Sequence, residues 1–485
     1  MGKLLFLIIL FLSTIFTGCS KQYHKIYIQE DTISLFRNPC MGWGIYDDAN
    51  DEVQNADYYW DKQGYIASKY ASFLYIRWRW SDMEPEEGKY AWIYDENYKK
   101  LIQGALDRGL KLCFRIYNNG QDNIKQSTPE YVRKAGAKGY KVTGIGGKEL
   151  WTPYPDDSIF QEKLEKFVKA FAEEYDNPDI VDFIDGYNLG WWGECHHIKL
   201  QDQNKIEHVF DWITTLYSSN FKNVNLLLPF GSQIGFDIEK KIAIDEKGYG
   251  MRRDGLGSMW FSEQERIITS KMYGKTLLVG ESCYWGTSDD DCKPFASDTY
   301  YQLKTWRDVY EKSYNDAIIG HFNTLDLREI AESKGWTSKA EDLVNGFIRK
   351  GGYRIFPYSL TLPVYIDSNE TITINHTWKN SGNGYLPNNM KNWNYKYKPA
   401  FALLDVNGKV VKSWIDDYAE PSEWLCGEKH SYDFIIQLNN MPRGEYKWAV
   451  AIVDKTKNNT PAIKLAINDN EQIKGWSIVG NVLVR

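Results

Sequence analysis

The sequence has few features that would tie the protein to nucleic acids, metals or nucleotide cofactors. Its 58 Lys and Arg are outnumbered by 65 Asp and Glu, which gives a formal net charge of −7. No basic stripe that would bind a phosphate backbone is present. The seven cysteines include no CxxC pair and no HExxH motif occurs, which argues against zinc. No glycine-rich phosphate loop follows the first predicted strand. We therefore expect no nucleic-acid partner, no metal and no cofactor.

The one long apolar run lies at the N-terminus and has the layout of an export signal. In "MGKLLFLIILFLSTIFTGCSKQ" (1–22) a single Lys precedes a short apolar stretch, small residues and Cys19,. The ending "FTGC" resembles the lipobox of bacterial lipoproteins, which implies removal of signal peptide 1–18 and a lipid on Cys19. We expect a lipid-anchored protein of the bacterial cell envelope with residues 19–37 as tether. The periplasmic and cell-surface faces both remain open, and the alternative is an uncleaved helical anchor.

Export would also permit disulfides, which are rare in the cytoplasm. Apart from Cys19, the cysteines lie far apart in sequence, with one exception. Cys283 and Cys292 flank the short segment "CYWGTSDDDC". Their spacing makes them the favoured local pair.

Aromatic residues are abundant, with 19 Trp and 34 Tyr in 485 residues. Such a surplus is typical of a large core or of a surface that stacks on flat ligands, of which sugar rings are the commonest with apolar faces. Hydrophobic residues make up 43% of the chain and charged residues 25%, which is a globular composition. The length predicts two domains.

Short apolar runs alternate with amphipathic helical segments over the first 300 or so residues of the mature chain. The predicted strands are 40–46, 71–80, 110–119, 180–190, 224–231, 254–258, 276–285 and 316–325. Strand–helix alternation favours a parallel sheet, and eight units predict closure into a (β/α)8 barrel, also called a TIM barrel, over 38–350. The alternative is an open, doubly wound sheet.

The pattern of apolar and polar residues changes after residue 350. Period-two runs such as "ETITINHTWKN" and "YKWAVAIVD" are separated by turns such as "SGNG" and "PRG",. This pattern predicts an all-β sandwich over 351–485, attached to the barrel as an accessory domain.

Polar and aromatic side chains cluster where the predicted barrel strands end. In a (β/α)8 barrel the chemistry gathers at the carboxyl ends of the strands. Glu194 follows strand 4 and Glu281 follows strand 7, and we take these as the catalytic candidates. The predicted substrate-binding residues at the strand ends are Arg77, Arg79, Trp80, Arg115, Asn118, Asn188, Trp191, Trp192, His196, Tyr284, Trp285, His321 and Asn323.

These two glutamates and the segment "WSDMEPEEGKYAW" (80–92) resemble the retaining (β/α)8 glycoside hydrolases. In that clan the strand-4 glutamate is the acid/base and the strand-7 glutamate is the nucleophile, so the resemblance implies these roles for Glu194 and Glu281. The opening "NPCMGWG" (38–44) and the junction "GYRI" (352–355) also look like a group of gut-bacterial lipoproteins. One departure stands out: Gly193 precedes Glu194 where the clan commonly has Asn, and Asn188 lies six residues earlier.

The chemistry of glycoside cleavage explains why two carboxyls are needed. One must hold a proton and the other must stay ionised beside an oxocarbenium-like transition state. An apolar wall raises a carboxyl pKa, and we expect Trp191 and Trp192 to do so for Glu194. Arginines on strands 2 and 3 are expected to keep Glu281 ionised.

Several neighbouring residues have two interpretations. Glu194 could instead be an acid on a surface loop. The Arg253–Asp254 pair could reach the sugar or form only an ion pair. Glu84 is expected to hydrogen-bond within its own loop. His196 and His197 point apart on an extended chain and complete no metal site, so a pocket-lining role is expected for His196.

The sequence therefore leads to two hypotheses. The first is an extracytoplasmic glycosidase that cleaves an oligo- or polysaccharide by the retaining double displacement. The second is a non-catalytic glycan-binding lipoprotein that keeps the same barrel cleft. The separation of the Glu194 and Glu281 carboxyls distinguishes them, since retaining enzymes place the two groups about 5–5.5 Å apart.

Overall fold

A computed structural model describes residues 22–47, 53, 55–119, 125–144, 147–230, 233–282, 302–468 and 471–485. The predicted signal peptide with Cys19, the Cys283–Cys292 pair, and Tyr284 and Trp285 lie outside these residues. None of the helices in the described part of the chain is long and apolar enough to cross a membrane.

The strands are β1 (Tyr23–Tyr27), β2 (Gly42–Tyr46), β3 (Ala71–Arg79), β4 (Lys111–Tyr117), β5 (Gly139–Thr143), β6 (Glu149–Pro153), β7 (Val181–Asp185), β8 (Asn225–Pro229), β9 (Gly250–Leu256), β10 (Leu278–Ser282), β11 (Thr324–Asp326), β12 (Ile355–Pro363), β13 (Tyr365–Ile366), β14 (Thr371–Asn380), β15 (Tyr397–Leu404), β16 (Val410–Ile415), β17 (Lys429–Gln437), β18 (Gly444–Asp454), β19 (Thr460–Ile463), β20 (Gln472–Ile473) and β21 (Trp476–Val484). The α-helices are α1 (Ala56–Tyr70), α2 (Trp80–Met83), α3 (Ala91–Tyr94), α4 (Glu96–Asp107), α5 (Glu130–Lys134), α6 (Ser158–Tyr175), α7 (Ile206–Asn220), α8 (Phe236–Glu239), α9 (Glu263–Met272), α10 (Trp306–Ile319), α11 (Ile330–Lys339) and α12 (Glu341–Lys350).

The barrel closes from eight parallel strands taken in chain order: β2, β3, β4, β7, β8, β9, β10 and β11. The last strand pairs back onto the first, with Thr324 opposite Gly42. Every residue of β3 is buried, as expected for a strand that is covered on both faces. The predicted (β/α)8 barrel is confirmed.

Helix α6 shows how the sequence builds the outer layer. The Asp157 carboxylate caps its start by accepting from the backbone N–H groups of Ile159 and Phe160, at 3.0 Å each,. Phe160, Leu164, Phe167 and Phe171 follow at helical spacing and are fully buried. This apolar stripe packs the helix onto the barrel.

The eighth barrel strand, β11, is shorter than predicted and begins later in the sequence. The apolar segment "DAIIG" belongs to α10, in which Val309, Tyr310, Ser313 and Ala317 share one buried helical face. Ile319 at the end of that helix is 68% exposed. The prediction of a strand over 316–325 was wrong because a short apolar run fits a helix face as well as a strand.

The C-terminal domain consists of two facing antiparallel sheets, apart from a short parallel pair between β13 and β21. One has the order β1-β12-β14-β17, and the other has β13-β21-β18-β15-β16 with β19 and β20 at its side. Strand β14 alternates between buried and more exposed positions, and Trp378 on its inner face stacks on Trp424 with ring centroids 4.9 Å apart. The predicted β-sandwich is confirmed.

The segment expected as a tether contributes to this sandwich. Within 19–37, Tyr23–Tyr27 pair with β12 in antiparallel register, from Tyr23 opposite Pro363 to Tyr27 opposite Ser359. Ile26 packs against the sandwich core. The chain thus passes through the C-terminal domain before it enters the barrel.

Candidate active site

Glu281 lies at the centre of a group of arginines at the mouth of the barrel. Its side chain is 1% exposed, and Arg252 on the neighbouring strand β9 donates a hydrogen bond to its Oε2. Arg328 Nη2 lies 3.6 Å from Oε1, Arg115 Nη2 lies 3.8 Å from Oε2, and Arg77 Nη1 lies 3.9 Å from Oε1. One carboxylate is therefore surrounded by four guanidinium groups.

These guanidiniums decide the charge of Glu281. Burial alone would raise the pKa of its carboxyl, but attraction to Arg252, Arg115, Arg328 and Arg77 holds that pKa well below its usual range,. The expectation that arginines keep Glu281 ionised agrees with this arrangement. A carboxylate in this state is ready to act as a nucleophile.

Glu194 lies in a tightly wound loop after β7. The loop contains the one-turn helix Trp191–Gly193 and has left-handed backbone at Gly190, with φ of 77°. A Cβ at Gly190 would come within 2.4 Å of the His196 carbonyl oxygen, so glycine is needed there. The loop is attached to the end of β4 by a backbone bond from Trp192 to the Asn119 carbonyl, at 2.8 Å.

The surroundings of Glu194 favour its charged form. Arg115 Nη1 donates to its Oε1 at 2.7 Å, and His196 Nε2 lies 3.3 Å from its Oε2. Burial raises the carboxyl pKa, but Arg115 and His196 outweigh it, and the pKa of Glu194 is lowered. The expected rise caused by Trp191 and Trp192 is not found, because a directly bonded guanidinium outweighs apolar neighbours.

Asp254 is the third carboxyl at the mouth. It follows Arg252 by two residues on β9, which places both on the same face of the strand,. Its side chain is 35% exposed, and Arg328 Nη2 lies 3.5 Å from Oδ1. Burial and repulsion from Glu281 and Glu194 raise the pKa of Asp254 to about 7.

Oxygen atoms of Glu194, Asp254 and Glu281 all lie within 4.8 Å of one another. Arg253 and Asp254, which the sequence treats as a pair, make different contacts. Arg253 pairs with Glu265 at 2.8 Å, whereas Asp254 joins the two glutamates. The guanidiniums that surround Glu281 would repel a divalent cation bound among the three carboxyls. The charge arrangement therefore favours a proton held among these carboxyls over a metal ion.

Two further acids hold the arginines in place. Tyr75 Oη donates to Asp185 Oδ2 at 2.7 Å, and Arg252 Nε lies 3.5 Å from the same oxygen. Asp326 lies 3.2 Å from Arg328 Nε and accepts from the Ser282 backbone at 2.8 Å. These contacts fix the guanidiniums that face Glu281.

The structure brings together Arg77, Arg115, His196, Glu194 and Glu281 from the predicted set. Trp191 and Trp192 are half-buried in the Glu194 loop, where Trp191 stacks on His197 with ring centroids 3.5 Å apart.

Asn118 and Asn188 are both buried. The Asn118 carbonyl accepts from the Thr128 hydroxyl at 2.7 Å. Within the described ranges, neither side-chain polar atom of Asn188 has a hydrogen-bond partner. Asn188 lies between β7 and Glu194 in sequence. Its side-chain amide can therefore form additional hydrogen bonds in the loop that carries Glu194.

Trp80 and Arg79 do not line the cleft in the predicted way. Trp80 is fully buried in the barrel–helix core, and its Nε1 donates to Glu84 at 2.9 Å. Glu84 also accepts from the Gly88 backbone and from Tyr131, which agrees with the loop role expected for it. Arg79 donates to Asp82 at 2.8 Å.

His321 and Asn323 lie at the wrong end of the barrel for substrate binding. Both precede β11, the eighth barrel strand, which begins only at Thr324. His321 lies 2.9 Å from the Asn383 carbonyl oxygen. Asn323 donates to the Cys40 and Tyr385 carbonyls at 3.1 and 2.9 Å. Their prediction as sugar-binding residues was wrong because it followed from the misplaced strand.

Replacing Asn323 with Ala tests this correction. The change leaves buried backbone groups of Cys40 and Tyr385 without partners, so we expect the free energy of unfolding to fall by about 2–3 kcal/mol. Urea denaturation measures that loss. KM should stay within about twofold of the wild-type value, and a rise in KM of tenfold with unchanged stability would restore Asn323 to the substrate site.

Sequence reasoning missed Arg252 and Arg328. The sixth barrel strand, β9, begins at Gly250 and not at 254. With that start, the alternation of side chains in "GMRRDGL" places Arg252 and Asp254 on the same face of the strand. Arg328 lies just after β11 with left-handed backbone, φ of 59°, and no pattern in the sequence marks it.

No family model matches the chain, and no curated protein matches it. Among the solved structures similar to it are glycoside hydrolases. Endo-glycoceramidase II from Rhodococcus sp., as its lactosyl-enzyme intermediate, has 13% identity and a TM-score of 0.42 over 81% of this chain and 97% of that chain.

Two further similar structures are family 5 enzymes. PbGH5A of glycoside hydrolase family 5 from Prevotella bryantii B14, in complex with a xyloglucan tetradecasaccharide, has 12% identity and a TM-score of 0.40 over 67% of this chain and 99% of that one. A GH5-4 broad specificity endoglucanase from an uncultured bacterium has 12% identity and a TM-score of 0.40 over 66% and 97%. At such values, what these proteins act on does not transfer to this chain.

Proposed function

We propose that the protein is a retaining glycoside hydrolase. The observation that carries this proposal is the close approach of carboxyls from β10 and from the loop after β7. Glu281 and Glu194 present oxygens within 4.8 Å of each other. This distance joins the facing oxygens of the two carboxyls and is compatible with double displacement, in which the two groups are about 5–5.5 Å apart, whereas inverting enzymes need about 6.5–9.5 Å to admit a water.

In the proposed reaction Glu281 attacks the anomeric carbon and a second carboxyl protonates the leaving oxygen. The four guanidiniums keep Glu281 charged, and Asp185 and Asp326 fix two of them from behind. This arrangement needs little rearrangement as charge moves in the transition state.

The proposed substrate is an oligo- or polysaccharide outside the cytoplasm. Half-buried Trp191 and Trp192 beside Glu194 offer aromatic faces for sugar rings,. We propose that Cys19 carries a lipid that holds the enzyme in the bacterial cell envelope, since small residues and Cys19 follow an apolar run of export length,.

One observation favours the rival function, a non-catalytic glycan-binding protein. The Glu281 side chain is 1% exposed, and a nucleophile must touch its substrate. Binding of a polysaccharide without release of reducing ends would support this rival. The ionised state of Glu281 and the approach of an oxygen of Glu194 to within 4.8 Å of it favour the enzyme.

The stereochemistry of the first product tests the proposal. A panel of aryl-glycosides and polysaccharides is first used to find a substrate, and proton NMR then follows the anomer released at early times. We expect the product to appear with the anomeric configuration of the substrate, because two displacements at one carbon restore it. Release of the opposite anomer would contradict the retaining mechanism.

A further inference from the structure

Asp254 is placed better than Glu194 to exchange a proton with a bound sugar. Its side chain is 35% exposed, compared with 13% for Glu194 and 1% for Glu281. It lies on β9, next to the strand that carries Glu281, and its carboxyl is within 4.8 Å of both glutamates. This greater exposure makes Asp254 the most accessible of the three carboxyls to a substrate that enters from solvent.

The charged groups around Glu194 and Asp254 also make Asp254 the better proton donor. Glu194 accepts directly from Arg115, so protonation of Glu194 would weaken a charge-assisted bond. Asp254 faces Glu281 on β10, Glu194 in the loop after β7, Arg328 after β11 and Arg253 on its own strand. Arg328 also pairs with Asp326 and Glu281 and is attracted to Glu332, so its charge is shared with several carboxyls besides Asp254.

We infer that Asp254 is the catalytic acid/base of this site and that Glu194 remains charged beside it. This inference rests on the proposed glycoside hydrolase function and changes only the residue that carries the proton. The pKa of about 7 for Asp254 agrees with the placement, since a general acid works best with a pKa near the operating pH.

The proton movements are balanced over two steps. In the first, Asp254 gives its proton to the glycosidic oxygen as that oxygen leaves the anomeric carbon, and a Glu281 oxygen bonds to the carbon. The leaving sugar departs as an alcohol and Asp254 becomes a carboxylate. In the second, Asp254 takes a proton from water, the water oxygen bonds to the anomeric carbon, and Glu281 is released as a carboxylate. Both groups return to their starting state.

Two isosteric variants, Asp254→Asn and Glu194→Gln, separate the candidates. Their substrate is the 2,4-dinitrophenyl glycoside of the sugar that the aryl-glycoside panel identifies, whose leaving group needs no proton. We expect Asp254→Asn to form the glycosyl-enzyme at a near-normal rate and then stall, and added azide to raise turnover at least tenfold. On a natural glycan the same variant should lose about 10²–10⁴-fold in kcat/KM. Glu194→Gln should show no azide effect.

Azide rescue in Glu194→Gln, with none in Asp254→Asn, would overturn the inference and leave the retaining mechanism intact. A wild-type protein that hydrolyses nothing in the panel, or a Glu281→Gln variant with full activity, would instead refute the proposed function. The two failures are therefore distinguishable.

Two measurements support the test independently of azide. The basic limb of the wild-type kcat/KM profile should fall with an apparent pKa near 7 and disappear in Asp254→Asn. The thermal midpoint of Asp254→Asn at pH 8 should be higher than that of the wild type. The pKa of Asp254 is raised to about 7 in the folded protein, so wild-type stability falls as pH rises from the unfolded pKa of about 3.9 to that value, and the loss is complete at pH 8. A lower midpoint together with an unchanged basic limb would mark Asp254 as structural.

Discussion

Glu281→Gln is expected to lower kcat by about 10⁴-fold or more on every substrate, because no covalent intermediate can form without the carboxylate. The change should also lower the free energy of unfolding by about 3 kcal/mol, since it leaves four buried guanidiniums with one counter-charge fewer. Steady-state kinetics and urea denaturation measure the two effects. They have separate causes and should both be seen.

Glu84→Gln is the matched control. Glu84 is also buried and accepts from Trp80 and Tyr131, but it lies in the loop after α2 and faces no guanidinium of the site. This variant should keep at least half of the wild-type kcat. Wild-type turnover in Glu281→Gln would remove Glu281 from the reaction, and equal losses in both variants would point to a general effect on folding.

Arg115→Met is expected to have the second largest effect. Arg115 contacts Glu194 at 2.7 Å, Glu281 at 3.8 Å and Asp185 at 3.9 Å, so three carboxylates lose a shared counter-charge. The pKa values of Glu194 and Glu281 should rise, and the acidic limb of the activity profile should move to higher pH. We expect the free energy of unfolding at pH 7 to fall by about 3–5 kcal/mol.

The stability lost in Arg115→Met should become smaller as the pH falls. The pKa of Glu281 is held low in the folded protein, so its stabilising contribution is complete above the unfolded pKa of about 4.3 and is lost as pH falls through the folded pKa. The difference in stability between the wild type and Arg115→Met should therefore be largest near pH 7 and shrink toward about pH 3. Arg349→Met, at an exposed position on α12, should show no difference at either pH. A constant difference would mean that Arg115 acts through packing.

The fold was predictable because its signals are repeated. Most barrel units have an apolar run followed by an amphipathic helix, and errors in single units, such as the start of β9, do not alter the count of eight. The error at strand 8 shows the limit: "DAIIG" fits a helix face and a strand equally well, and only the packing of α10 decides between them,.

The candidate site was predictable only in part. Glu281 and Arg115 end apolar strands, so barrel topology places them at the mouth. Arg328 comes from a loop with left-handed backbone, and tertiary contacts alone bring it to Glu281. The charge state of Glu194 depends on a direct bond from Arg115, a distance that no local pattern contains.

Trapping of the glycosyl-enzyme tests the central claim most directly. The wild-type protein is incubated with the 2-deoxy-2-fluoro dinitrophenyl glycoside of the sugar it hydrolyses, digested and analysed by tandem mass spectrometry. Slow breakdown of the fluorinated intermediate should leave one sugar ester per chain, located on Glu281, and Glu281→Gln should remain unlabelled. A label on Glu194 or Asp254 would contradict the assignment of the nucleophile, and hydrolysis of the parent glycoside without any label would contradict the double displacement.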